Sequence, residues 1–208
     1  MKFILLGTPR SGSHLMRRYI RSHPKLDCIT ELYTMNIYED TWEDYFNNEV
    51  VDNCGVTLLG DSAYFKNIEN YNLIVLLRRN IFEQTLSHSL MVISGSERHY
   101  IDGNEDIDNS TYTINVHEFK HLYDIFVKQT QYLIDKTNNS NRVILWYEDI
   151  IPYSQTGWTA WMPNKESAKL CKFLNVDWCR LSAKSKKIGQ YNKILNLKEL
   201  YEDCNITE

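Results

Sequence analysis

At 208 residues the chain reads as one domain, residues 1–208, long enough to bury a real core. Its 43% hydrophobic and 24% charged residues are ordinary for a soluble globular protein. The formal charge of −4 argues against a surface devoted to nucleic acid or to acidic membranes, so any anion site is expected as a local positive pocket in a mildly acidic body.

Phe3–Leu6 is a short apolar run, too short for a signal core or a membrane span, and reads as a buried strand ending at Gly7. A loop of small residues with one cation, Arg10, follows. A helical pattern then covers Ser13–Ser22, with Leu15, Met16, Tyr19 and Ile20 on one stripe and Arg17, Arg18 and Arg21 largely off it. Further strands are expected at Val56–Leu59, Leu73–Leu77 and Val143–Trp146, and helices at Ile81–Val92, Glu118–Asn138, Asn164–Leu174 and Leu197–Cys204. Ser94–Thr113 is polar and acidic and reads as a long mobile loop, of a length that is usually a functional lid or disordered. Wholly apolar strands separated by helices predict an α/β fold, a P-loop-like three-layer sandwich whose mainly parallel central sheet is flanked by helices. Ligands in such sheets sit at the carboxyl ends of strands, where the Gly7 loop and Arg78-Arg79 fall. The five cysteines form no C-x-x-C pair, and with no secretory signal the expectation is reduced thiols in a cytoplasmic protein.

The strand, small-residue loop and helix start form an anion cradle, in which backbone N–H groups and the positive helix end face a bound phosphate. Gly7-x4-Gly12 matches the first half of the Walker pattern, but Ser13-His14 stands where Lys-[Ser/Thr] is required. Without that lysine, and without an evident magnesium ligand after it, γ-phosphoryl transfer loses its main electrostatic support. The cation has moved into the loop, to Arg10.

Thr8-Pro-Arg-Ser-Gly-Ser-His-Leu-Met16 resembles the 5′-phosphosulfate loop of the sulfotransferases that use 3′-phosphoadenosine 5′-phosphosulfate (PAPS), with His14 where those proteins normally carry Thr. Leu73-Ile-Val-Leu-Leu-Arg-Arg-Asn80 with Ser87 resembles the family's 3′-phosphate motif, a strand ending in Arg with Ser eight residues later, which Arg79 and Ser87 satisfy. Arg79 supplies a planar fork of donors and Ser87 a hydroxyl. Asn80-Ile81 in place of Asp-Pro is nearer to the bacterial carbohydrate-type members. Arg142-Val-Ile-Leu-Trp-Tyr-Glu-Asp-Ile150 resembles a late strand of the family, which implies a nucleotide contact for Tyr147 and structural roles for Glu148 and Asp149. Lys184–Tyr191 loosely resembles the C-terminal nucleotide-covering loop, with Lys186 as the matching cation.

The resemblance implies PAPS as donor and 3′-phosphoadenosine 5′-phosphate (PAP) as product, bound by Pro9, Arg10, Ser11, Gly12, Ser13, His14, Arg79, Ser87, Tyr147 and Lys186. His23-Pro24 and Cys28-Ile-Thr-Glu31 look like the matching segment of the tyrosylprotein sulfotransferases, where a glutamate 21 residues after the loop arginine is the catalytic base; Glu31 stands 21 after Arg10. A carboxylate there takes the proton of an attacking acceptor hydroxyl. Arg10 neutralises charge on the oxygen bridging sulfur and 5′-phosphate, and the loop N–H groups of Ser11 to His14 hold that phosphate still. Ser62 follows Gly60-Asp61 where the family often has a second catalytic lysine, so Arg10 acts alone, Lys66 substitutes, or the enzyme is slow.

His117-Glu-Phe-Lys-His121 fits the zinc-protease pattern H-E-x-x-H. At about 100° per residue the two histidines fall opposite the stripe of Phe119, Leu122, Tyr123, Phe126 and Leu133, a solvated position, and no third ligand follows at metzincin spacing. No metal is therefore assigned. The expected partners are the nucleotide donor and a hydroxyl-bearing acceptor (sugar, tyrosine or small metabolite), with no nucleic acid and no membrane. The sequence carries no signal for oligomeric state. An atypical P-loop nucleotide kinase and a non-catalytic nucleotide-binding protein are the rival readings.

Overall fold

Phe3, Ile4, Leu5 and Leu6 are all completely buried, which an extended strand achieves only when both of its faces are covered. The computed structural model, which describes residues 1–31, 46–48, 52–59, 67–94, 111–151, 155–156, 159–184 and 194–206, shows how. Strands β1 (Phe3–Gly7), β2 (Asp27–Glu31), β3 (Cys54–Leu59), β4 (Asn72–Leu77) and β5 (Arg142–Trp146) form a sheet in the order β2-β3-β1-β4-β5, parallel throughout. The register aligns Gly7 with Leu59 on one side and with Leu76 on the other, so the loop after β1 leaves from the carboxyl edge of the sheet.

Alternation along the strands divides the core in two. Phe3, Leu5, Ile74, Leu76 and Leu145 pack under Met16, Tyr19 and Ile20 of α1 (Ser13–Arg21) and Leu170 of α5 (Asn164–Phe173). Ile4, Leu6, Val56, Leu58, Val75 and Leu77 pack with Phe46, Ile68 and Leu133 of α3 (Val116–Lys136). Each fully buried side chain of this kind contributes about 1.5–3 kcal/mol. Gly55 of β3 faces the Phe3 ring, which occupies the space a Cβ would need. A third cluster joins Phe82 and Leu86 of α2 (Ile81–Ser94) to Phe119 of α3 and Leu200 of α6 (Leu197–Asp203).

The α/β layering and the four predicted strands are present, with boundaries shifted by up to two residues. α3 begins at Val116 rather than Glu118, because the Asn115 side chain accepts the N–H of Glu118 at 3.1 Å and caps the helix there. The structure adds an edge strand, β2, in a segment that carried no strand prediction. Cys28 lies opposite Gly55 but Glu31 opposite Thr57, so a bulge interrupts the pairing. It also adds a one-turn helix, α4 (Tyr147–Ile150), and a small antiparallel sheet of β6 (Gln155–Thr156), β7 (Thr159–Trp161) and β8 (Ser182–Lys184). All five cysteines are free, and no helix of the described residues is long and apolar enough to cross a membrane. Most of the acidic stretch, residues 95–110, lies outside the described residues, as do Ser62, Lys66 and Lys186.

Candidate active site

The loop between β1 and α1 is shaped by two residues with positive φ, Arg10 at 62° and Gly12 at 96°. A turn closes inside it when the Ser11 N–H donates to the Thr8 carbonyl at 3.1 Å. That N–H is therefore used within the loop rather than aimed outward. The Ser11 hydroxyl packs beside Gly7, where a Cβ would come within 2.6 Å of its Oγ, and it is buried without a hydrogen-bond partner. Ser13 and His14 open α1, so their N–H groups have no carbonyl inside the helix to bond. No acidic residue stands in that first turn, which leaves the positive helix end unneutralised from within α1.

Helix α2 holds the loop from the β4 side. Gln84 donates from Nε2 to the Thr8 hydroxyl at 2.7 Å and to the Pro9 carbonyl at 2.6 Å. One turn on, the Ser87 hydroxyl accepts from Arg10 Nε at 3.0 Å, and Met91 Sδ lies 3.9 Å from Arg10 Nη1. Positions 84, 87 and 91 share one helical stripe, so a single face of α2 fixes both the backbone of the loop and its arginine. His88 stands on the same stripe, edge-on to Phe126 at 5.6 Å. Burial, reinforced by the nearby Arg10 charge, lowers its pKa.

Tyr147 covers the loop from above α1, its ring filling the space a Gly12 side chain would take. Burial raises its pKa against the pull of Arg78, whose guanidinium lies 4.6 Å from the ring centroid. Arg79 points elsewhere. It makes a bidentate pair with Asp149 at 2.7 Å through each nitrogen, lies 5.0 Å from the Trp146 ring centroid, and is half exposed. Those hydrogen bonds hold the Asp149 carboxyl below its ordinary range. Glu148 accepts the backbone N–H groups of Arg79 and Asn80 at 3.0 and 3.1 Å, and Asn80 caps α2 by accepting the Glu83 N–H at 3.0 Å.

The structure thus gathers Pro9, Arg10, Ser11, Gly12, Ser13, His14, Ser87 and Tyr147 around one loop, and holds Arg79 in an ion pair beside it. Glu31 ends β2 at the same carboxyl edge of the sheet as Gly7; its side chain lies outside the described residues. Lys186 falls outside them altogether. Gln84 went unnoticed in the sequence, although it precedes Ser87 by three on the helical stripe and so carried a readable signal; Arg78 was placed at the carboxyl end of its strand but given no role. His117 and His121 are exposed on α3, and among the described residues no group of three or more His, Cys, Asp or Glu is placed to hold a metal ion.

No family model and no curated protein matches the sequence. Solved structures do match. A sulfotransferase from Alicyclobacillus acidocaldarius aligns over 99% of this chain and 96% of its own, with a TM-score of 0.50 at 13% identity. Mouse sulfotransferase SULT7A1, in complex with PAP, aligns over 98% of this chain with a TM-score of 0.52 at 11% identity. The alignment spans 63% of the mouse chain, under two thirds of its length. The fold of this chain is the sulfotransferase fold.

Proposed function

We propose that the protein is a PAPS-dependent sulfotransferase that moves a sulfuryl group to an acceptor hydroxyl of a sugar, a tyrosine or a small metabolite. The observation that carries this reading is the loop arginine: Arg10, in a left-handed turn before α1, is bonded to Ser87 of α2, the helix that follows β4. A kinase loop places its lysine on the helix; here the cation lies within the turn, where it lowers the cost of charge on the bridging oxygen as the S–O bond breaks. The N–H groups of Ser13 and His14, with the helix end, hold the 5′-phosphate. The buried Ser11 hydroxyl fits the cradle, since it has no partner of its own there.

Arg79 and Ser87 take the 3′-phosphate, Tyr147 the nucleoside, and Lys186 the outer side of the nucleotide. Arg79 must then exchange Asp149 for phosphate. A half-exposed pair of this kind is worth only about 0–1 kcal/mol, so a doubly charged phosphate competes well. Glu31 accepts the proton of the acceptor hydroxyl. The product is PAP, and the mild net acidity together with reduced thiols suits a cytoplasmic enzyme.

Calorimetric titration with PAP and with ADP tests this directly. PAP is expected to bind at least about tenfold more tightly, the equivalent of roughly 1.4 kcal/mol, and Arg79→Ala is expected to abolish the preference. Glu31→Gln keeps PAP binding and loses transfer. Equal, weak binding of the two nucleotides overturns the assignment.

A further inference from the structure

Arg78 stands inside the 3′-phosphate motif but the resemblance gives it no role, yet it is the one Arg or Lys among the described residues that is buried, at 6% exposure. It leaves the end of β4 and runs beneath the phosphate loop instead of outward. Nη1 makes a long hydrogen bond to the Arg10 carbonyl at 3.4 Å, and Nη2 donates to Glu83 Oε2 at 2.8 Å. Nε lies 3.9 Å from Glu148 Oε1, and the guanidinium carbon lies 4.6 Å from the Tyr147 ring centroid. One guanidinium therefore joins the loop to α2 through Glu83 and to α4 through Glu148 and Tyr147.

Two carboxylates flank Arg78, so its charge is largely compensated where it stands. It is not a substitute for the missing lysine at position 62. What it controls is geometry. Arg10 sits at φ 62°, a conformation that costs a non-glycine residue about 1–2 kcal/mol and needs outside support. A donor on the Arg10 carbonyl supplies support, because it keeps that oxygen turned toward Arg78 and away from an anion at the helix start. The Tyr147 ring, resting on Arg78, closes the other side of the turn at Gly12.

We propose that Arg78 is a positioning residue for the Arg10 loop, fixing the left-handed turn from which the Arg10 side chain reaches the leaving oxygen. This rests on the sulfotransferase reading. Lysine cannot replace it: a single ammonium can pair with Glu83, but offers neither a second arm for the carbonyl nor a flat face for Tyr147. The 5′-phosphate is held by helix N–H groups that Arg78 does not touch. Displacing Arg10 therefore acts on turnover more than on nucleotide affinity.

The test is a double-mutant cycle on full-length protein, reading release of labelled sulfate from PAPS together with PAP affinity by calorimetry. Arg78→Lys is expected to lower kcat about 10- to 100-fold while the Kd for PAP changes less than about threefold. In an Arg10→Ala background the same substitution should have no further effect on kcat, because Arg78 acts through Arg10. Glu83→Gln, which removes the negative charge that anchors one arm of Arg78, is expected to follow the same pattern more weakly and serves if the position 78 variant does not fold. Wild-type kcat in Arg78→Lys overturns the inference, as does an equal loss in both Arg10 backgrounds. Failure of the wild-type protein to bind PAP sinks the functional reading, and this inference with it; normal wild-type binding and turnover with a silent Arg78→Lys sinks this inference alone.

Discussion

At Gly12 two requirements coincide, a φ of 96° and a neighbouring Tyr147 ring that stands where a Cβ would project. Alanine would meet both the left-handed penalty and the ring, a destabilisation of about 2–4 kcal/mol by urea unfolding. Removing the ring should relieve the second part only. Tyr147→Ala in the Gly12→Ala background is therefore expected to show a favourable coupling of about 1 kcal/mol or more, and additive losses would show that the ring is not the obstacle. At this scale the sequence was most readable where chemistry depends on spacing. Arg10 within a Gly-rich turn and Ser87 on the following helix are close in the structure, 3.0 Å apart. Arg78 and Arg79 were harder to tell apart, because which of two adjacent arginines turns inward depends on Glu83, Tyr147 and Asp149, partners brought in from other elements.

Among the elements, α2 carries the most of the site on one face, and that face includes a titrating group. His88 is packed against Phe126 of α3 beside Arg10, and burial and charge both disfavour its protonated form. Unfolding restores its ordinary value near 6.5, so the unfolded chain takes up the proton first as pH falls. The contribution to stability is full above about pH 6.5 and is lost as pH falls through the lower folded value. Urea unfolding at pH 7.5 and 5.5 should therefore show a shallower loss in His88→Gln than in the wild type. Identical losses would mean that the ring is not held neutral. Helices were legible because their burial follows a period, and the central strands because burial on both faces makes them unbroken apolar runs. β2 was not: Asp27, Thr30 and Glu31 interrupt any apolar run, and the bulge removes the alternation that marks an edge strand. The β6-β7-β8 sheet has strands of two or three residues, too short to carry a pattern.

In the whole molecule, one sheet serves two cores. Phe3 and Leu5 belong to the layer under α1 and α5, while Ile4 and Leu6, their immediate neighbours, belong to the layer under α3. Neither layer can melt without exposing the other face of the same strands. The third cluster is tied in through α2 and α3, and α1 is tied to the small sheet by the Ser22 hydroxyl, which accepts the Ser182 N–H at 3.0 Å. Unfolding should then be one cooperative transition, with far-UV circular dichroism and tryptophan fluorescence sharing a urea midpoint. The loop between β1 and α1 is clamped between α1 and α2, and so between elements of different clusters. Ligand bound there stabilises the whole fold rather than a local segment. Under the proposed function, PAP at 100 times its Kd is expected to add about 2.7 kcal/mol, which for a chain of this size raises Tm by about 5–11 °C. Both probes should move together. Separate midpoints, or a PAP-induced shift in one probe alone, would show instead that the loop belongs to a subdomain that unfolds by itself.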